Sequence, residues 1–381
     1  MKKAINQEVM RLINKQRIFS VIQDRAPVSK KVIADELGTS LTTVSTMVNE
    51  LIEEGKIIHC GTSKSTGGRK SEIFQLNPDA LYVLGFDLQV DRLIGVMLNF
   101  NGDLIYEKAV PFAASDEWSV TALIRQQIGA IMAEAKLPES KLAGIGLGIP
   151  GIVDPALCLV EFAPNLEWKN VNLRQLLPLP QPLIIENEAN AAALGEQGFG
   201  MAREASDFIF VSVGTGIGTG VVLNNRLYRG WNNHAGEFGH MTIIPDGAAC
   251  RCGNRGCWEV YASNEAALRH YQQLSGAEPA GFDELLKRCL RDEPAALEAL
   301  DRAADYLAIG LANIINGINP ELLVIGGQLA AVRDRIYPRL LKRIKERCLE
   351  KSFKGFTFEF SSLDGKATAL GVARLALENA R

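Results

Sequence analysis

Across residues 6–25, apolar side chains fall at Val9, Leu12, Ile13, Ile18, Val21 and Ile22. That spacing is close to a helical period and predicts an amphipathic helix. Pro27 ends it. Ser29 can cap a second helix through Val32, Ile33 and Leu37, and Gly38 supplies the stop. After a short turn, Ser40 can cap a third helix, whose Leu41, Val44, Met47, Val48, Leu51 and Ile52 recur at three and four residues and are expected in a core. The opposite face is polar, with Thr42, Thr43, Ser45, Thr46 and Asn49. Beyond Gly55 the pattern changes to a strand at 56–59, a polar loop at 61–70 and a strand at 72–76, which predicts a hairpin.

Two short helices joined by a tight turn and followed by a hairpin make a winged helix-turn-helix, whose second helix enters a DNA major groove. On this reading Ser40, Thr42, Thr43, Ser45, Thr46 and Asn49 are base-reading candidates, because hydroxyls and an amide can reach base edges and thymine methyls. Gly67 and Gly68 precede Arg69 and Lys70 in the loop, where a guanidinium suits a narrow minor groove. The third helix has no Lys or Arg before Gly55. Phosphate contacts are therefore expected from the wing, Lys30, Lys31 or the first helix.

From residue 84 the rhythm is that of an α/β unit: strands at 84–88, 93–100 and 103–110, a helix at 120–135, a strand at 144–149, and a second cycle at 208–223. With 381 residues, this predicts a DNA-binding domain over 1–77 and a larger α/β domain over 78–381. No apolar run is long enough to span a bilayer and no signal-peptide core follows Met1, so a cytoplasmic protein without direct membrane insertion is expected. The net charge of −3 hides an asymmetry: residues 1–77 carry 12 Lys and Arg against 8 Asp and Glu, and the remainder 29 against 36. An acidic chain with one basic end suits a protein that brings only that end to a polyanion.

Residues 213–220 read Val-Gly-Thr-Gly-Ile-Gly-Thr-Gly. The dinucleotide pattern GxGxxG fails in either frame, which leaves a phosphate-cradling loop or, more simply, a tight β-turn. Three of the seven cysteines, Cys250, Cys252 and Cys257, follow His240 closely. Three thiolates and an imidazole form a tetrahedral zinc set with no place for a catalytic water, and Gly253 and Gly256 permit the turns around the ion. The odd count and the scatter of the other cysteines argue against a disulfide framework.

The run Gly-Thr-Gly-Ile-Gly-Thr-Gly, the segments Ala235 to His240 and Cys250 to Glu259, Glu186-Asn187-Glu188-Ala189-Asn190-Ala191-Ala192, and Ile325-Gly326-Gly327 together resemble the ROK family of repressors, open reading frames and sugar kinases. With the winged helix in front, the resemblance is to its repressor branch and covers nearly the whole chain. It implies a two-lobed α/β fold of the hexokinase and actin type with a sugar in the cleft. Carried over by position, the sugar contacts would be Pro150, Gly151, Asn165, Asn187, Glu188, Glu237, His240 and Glu259, with His240 also on zinc. It further implies a homodimer or tetramer on a DNA operator, released by a sugar, a sugar phosphate or a transport-protein partner.

The chain departs from the family's kinases at two points. Where they carry glycines after the first strand's aspartate, this chain reads Asp87-Leu88-Gln89-Val90-Asp91, which puts side chains and a negative charge where polyphosphate would lie. Where they carry a presumed catalytic aspartate, it has Glu188, and one extra methylene displaces the carboxylate. Both departures favour a regulator with a vestigial kinase fold over a bifunctional sugar kinase.

Overall fold

A computed structural model describes residues 7–63, 71–112, 116–277, 279 and 281–381. The head comprises α1 (Gln7–Arg25), β1 (Val28–Ser29), α2 (Lys30–Leu37), α3 (Leu41–Glu53), β2 (Ile57–Thr62) and β3 (Glu72–Leu76). Ser29 caps α2 by accepting from Val32 N, Gly38 closes that helix at φ 60°, and Ser40 caps α3 by accepting from Thr43 N at 3.1 Å. Val44, Met47, Val48 and Leu51 form the buried face of α3 as the period requires. Leu41 and Ile52 do not join it; they are 54% and 39% exposed at the helix ends.

In α1 only Ile18, Val21 and Ile22 of the predicted stripe are buried, while Val9, Leu12 and Ile13 stay exposed. The first half of α1 is held to α3 by charge instead, with Arg11 and Lys15 both pairing with Glu50. The two-residue strand β1 pairs with β3 and completes a sheet of order β1-β3-β2, an element too short for periodicity to reveal. The head's core is not closed on itself. Ile18, Phe19 and Phe74 belong to one apolar cluster with Val96, Phe100 and Leu377 of the body.

The body begins with β4 (Tyr82–Leu88), β5 (Arg92–Asn99), β6 (Leu104–Pro111), α4 (Glu117–Glu134) and β7 (Leu142–Ile149). A small antiparallel sheet of β8 (Ile152–Asp154), β9 (Leu159–Ala163) and β10 (Trp168–Asn172) follows, then α5 (Leu173–Leu176), β11 (Leu183–Asn187) and α6 (Glu188–Phe199). The second lobe holds β12 (Phe208–Val213), β13 (Ile217–Leu223), β14 (Arg226–Leu227), α7 (Trp258–Ala262), α8 (Asn264–Ser275), α9 (Phe282–Leu290) and α10 (Pro294–Ile318). It ends with β15 (Leu322–Gly327), α11 (Arg333–Lys345), α12 (Glu350–Lys354), β16 (Thr357–Phe360) and α13 (Ala367–Ala380).

The two five-stranded sheets repeat one topology. Their orders are β11-β7-β4-β5-β6 and β14-β13-β12-β15-β16, each an antiparallel meander of three strands with a fourth strand parallel beside the first and a fifth outside it. Between them lie α6, packed on β12 and β13, and α13, packed on β4 and β7. These two helices cross backbone to backbone. A Cβ at Gly195 would strike Ala367 O, and one at Gly371 would strike Ala191 O. Among the described residues no helix is long and apolar enough to cross a membrane.

Candidate functional site

The cleft is built from the junction of β11 and α6. Asn187 caps α6, its Oδ1 accepting from Ala189 N at 2.9 Å and Asn190 N at 3.1 Å. Its Nδ2 donates to Gly151 O at 3.0 Å and to Glu188 Oε2 at 2.9 Å. Gly151 N donates to the same Glu188 oxygen at 3.2 Å. Gly151 sits at φ 142° with its Cα against the Phe162 and Ala163 backbone, so a side chain there would be both strained and blocked. Pro150, Gly151, Asn187 and Glu188 are thus brought together as expected, with Asn187 already committed as a helix cap.

Two carboxyls here resist ionisation. Burial raises Glu188 to about 8, with the negative charges of Asp87 and Glu237 adding to it against the hydrogen bonds from backbone N–H groups. Burial likewise raises Asp87 to about 7, opposed by the Gln89 amide, which donates to it at 2.7 Å, and by the Arg92 charge. Desolvation thus outweighs the helix N-terminus, which by itself would favour the Glu188 anion. Behind them Glu186 is buried and paired with Arg229 at 2.6 Å. Arg229 lies in an irregular loop, where no periodic signal could single it out.

Across the cleft, Glu237 opens the short turn Phe238–His240, and its pKa is raised by burial against the pull of His240 and His234. His240 Nε2 is 3.8 Å from Glu237 Oε2, and Nδ1 is 3.4 Å from Glu259 Oε1. Glu259 in turn accepts from Ile217 N at 3.4 Å and from the Cys250 thiol at 3.0 Å. Asn165 lies farther out: its Oδ1 accepts from Arg251 Nη1 at 3.2 Å, while Arg251 Nη2 holds Glu265. Arg251 therefore reaches from the cysteine loop to the first lobe, a contact the spacing of residues could not announce.

Ligand atoms of His240, Cys250, Cys252 and Cys257 all lie within 4.8 Å of one another. The Cys252 and Cys257 sulfurs are 3.8 Å apart, as are Cys250 Sγ and His240 Nδ1. A tetrahedron with bonds of about 2.3 Å has edges of about 3.8 Å, so the four donors fit a tetrahedral ion. Positive φ at Gly253 (93°) and Gly256 (75°) lets the loop fold back, and the Gly256 backbone packs on Ile244 O. Burial pushes the Cys250 and Cys257 thiols up, so a cation is what would favour their thiolates.

Gly214, Thr215 and Gly216 form the turn between β12 and β13, which places this run as a hairpin. Gly218 and Gly220 lie within β13 against α6, where Ala189 and Ala193 leave no room for a side chain at Gly220. On the other side of the turn, Asn264 N donates to Gly214 O at 2.9 Å. Asn264 Nδ2 donates to Gln328 Oε1 at 2.9 Å, and Gln328 Nε2 to Asp283 Oδ1 at 2.6 Å. This chain of side chains follows directly on Gly326-Gly327 and faces the Asp91–Arg92 pair of the first lobe, whose arginine feels the Asp283 charge.

In the head, Thr42, Thr46 and Asn49 are exposed on α3, and Thr43 and Ser45 are partly buried. Ser40 is spent as the cap, with its Oγ also 2.9 Å from Thr43 Oγ1, and Thr46 donates back to Thr42 O at 3.1 Å. Lys30 Nζ donates to Asn49 Oδ1 at 3.2 Å and stands 5.2 Å over the Phe74 ring. A cation of α2 thus stands beside α3, which carries no Lys or Arg of its own. Arg69 and Lys70 lie outside the described residues.

The ROK family pattern matches residues 83–379, and a pattern described as winged helix-turn-helix DNA-binding matches residues 11–58. The chain belongs to the ROK family. It is 31% identical over 378 residues to the xylose repressor of Bacillus spizizenii, covering 98% of this chain and 97% of that protein. In fold it matches a ROK family transcriptional regulator, a homologue of the Escherichia coli Mlc protein, with a TM-score of 0.82 at 24% identity over 97% of each chain. The ROK family glucokinase of Streptomyces griseus, solved with glucose and AMPPNP, matches with a TM-score of 0.71 at 26% identity, over 78% of this chain and 99% of that one.

Proposed function

We propose that this ROK protein is a sugar-responsive transcriptional repressor and not a kinase. The observation that carries it is the similarity to a xylose repressor over 98% of the chain, head and body together. In this reading residues 1–77 bind a double-stranded operator and residues 78–381 bind the effector and assemble the homodimer or tetramer, in the cytoplasm. Thr42, Thr43, Ser45, Thr46 and Asn49 read the major groove from the helix that Ser40 caps, and Lys30 and the wing residues Arg69 and Lys70 meet the backbone and minor groove.

The effector is a sugar held by Glu188, Glu237, His240 and Glu259, with Pro150, Gly151, Asn165 and Asn187 shaping the pocket. A structural zinc on His240, Cys250, Cys252 and Cys257 would bind His240 through Nδ1, which leaves Nε2 for the cleft. Kinase chemistry is disfavoured by the side chains at 89–91, with the negative charge of Asp91 among them. D-xylose is the first sugar to try, since relatives of the same length are named for xylose.

Fluorescence anisotropy on a duplex selected from a random pool tests the reading. The sugar should change operator affinity in the parent chain and leave Glu237→Ala unresponsive at unaltered affinity. Asn49→Ala should cost ~1 to 3 kcal/mol at one base position of the half-site. Operator binding that ignores every sugar and sugar 6-phosphate, together with ATP consumption on one of them, would establish the kinase instead.

A further inference from the structure

One helix runs from the cleft to the head. In the first turn of α13, Thr368 Oγ1 donates to the carbonyl of Glu188, the residue that opens α6, at 3.1 Å. Just past its far end, Arg381 Nη2 donates to Phe100 O at 2.6 Å, and the guanidinium lies 5.6 Å over the Phe100 ring. That ring meets Phe19 of the head at 5.8 Å between centroids. Lys56 of the head donates to Arg381 O at 3.3 Å and stands 6.0 Å over Phe19. The joint is thus two cations on two rings, joined to the cleft by about 20 Å of helix.

This helix cannot slide past its neighbours. Backbone contacts at Gly195 and Gly371 lock it to α6, and Cβ atoms at Gly85 and Gly146 would strike its Ala369 and Val372 carbonyls, which locks it to β4 and β7. Packing this close transmits a displacement rather than absorbing it. The chain crossing beside it is itself pinned, with Asn77 donating to Gly55 O at 2.8 Å and to Lys56 O at 2.9 Å.

We propose that α13 is the relay between effector and DNA: a shift of the α6 N-terminus on sugar binding moves α13, and Arg381 and Lys56 turn that movement into a new angle of the head. Thr368 and Arg381 are its positioning residues. The inference rests on the repressor reading above, and it assigns the route by which that site acts.

A contiguous path is not yet coupling, so the test measures coupling. Thr368→Val, Arg381→Ala, Arg381→Lys and the Val/Ala double variant are compared with the parent for D-xylose binding, for affinity to the selected duplex, and for the factor by which D-xylose changes that affinity. D-xylose binding should stay within about twofold in all of them. The coupling factor should fall about fivefold or more in Thr368→Val and Arg381→Ala, no further in the double variant, and recover in Arg381→Lys.

Without sugar, the two substitutions should depart from additivity on operator affinity by more than about twofold, whereas independent sites this far apart simply add. An unchanged coupling factor overturns the relay. If D-xylose moves none of the chains, that effector is wrong, and the sugar-free cycle decides alone: additivity then overturns the relay and non-additivity supports it.

Discussion

The β4–β5 and β12–β13 hairpins hold the same place in the repeated strand order, and each turns in three residues, 89–91 in the first lobe and 214–216 in the second. The first turn is Gln89, Val90 and Asp91, with Val90 47% exposed and Asp91 paired to Arg92. The second is Gly214, Thr215 and Gly216, bare enough that Glu259 reaches Gly216 and Ile217 N. Only a bare turn lets backbone N–H groups close on an anion. The two turns therefore differ in what they could offer an anion: bare backbone in the second lobe, side chains and a negative charge in the first. On the proposed reading, such a cleft serves as a receptor and not as a kinase site.

The largest expected effect separates the hairpins by their support. The second leans on Glu259, which leans on His240 and Cys250 of the metal set; the first has no such tie. Cys257→Ser should lower bound zinc from one per chain and cost on the order of 4 kcal/mol or more of stability. Hydrogen exchange should accelerate over residues 208–223 and stay slow over 82–99. Native melting in a zinc-free variant would show that His240, Cys250, Cys252 and Cys257 hold no structural ion.

Smaller, and confined to the first lobe, is the titration of the cleft. Glu188 titrates near 8 when folded against an ordinary 4.5, so the folded protein keeps the proton longer than the unfolded chain. The stability this contributes is complete below about 4.5 and is lost as pH rises through about 8; Asp87, near 7, acts with the same sign. Glu188→Gln cannot ionise. Its melting temperature should therefore fall less than the parent's between pH 5 and 9, with the variant the more stable at the alkaline end. Parallel curves would show that Glu188 is an ordinary ionised carboxylate.

Much of this was legible in advance because it rests on local chemistry. The caps Ser29 and Ser40, the stop at Gly38, the buried face of α3 and the tight set of His240 with three cysteines all follow from residue type and spacing. What escaped depends on distant partners. Arg229 finds Glu186, Arg251 finds Asn165, and Gln328 finds Asp283 only after the lobes fold, across separations that no period encodes. The exposed Val9, Leu12 and Ile13 misled for the opposite reason: an amphipathic stripe records what a helix could bury, whereas ion pairs to Glu50 decide what it does.

The smallest effect is the most direct challenge to the contrast between the turns. Gln89→Gly with Asp91→Gly gives the first turn the glycine spacing of the second, removes one negative charge and opens backbone to an anion. It also frees Arg92 from Asp91 and takes the Gln89 amide from Asp87, so Asp87 should hold its proton more firmly still. Nucleotide affinity should rise only to a dissociation constant on the order of 1 mM, because the Asp283 charge that acts on Arg92 remains. No phosphoryl transfer should accompany it, since burial raises Glu188 to about 8 and keeps it mostly protonated at neutral pH. Calorimetry with MgATP and a coupled ATPase assay read the two outcomes separately. Tight MgATP binding by the parent chain would show that filled and bare turns serve equally well, and turnover in the grafted chain would place the whole loss of catalysis in residues 89 and 91.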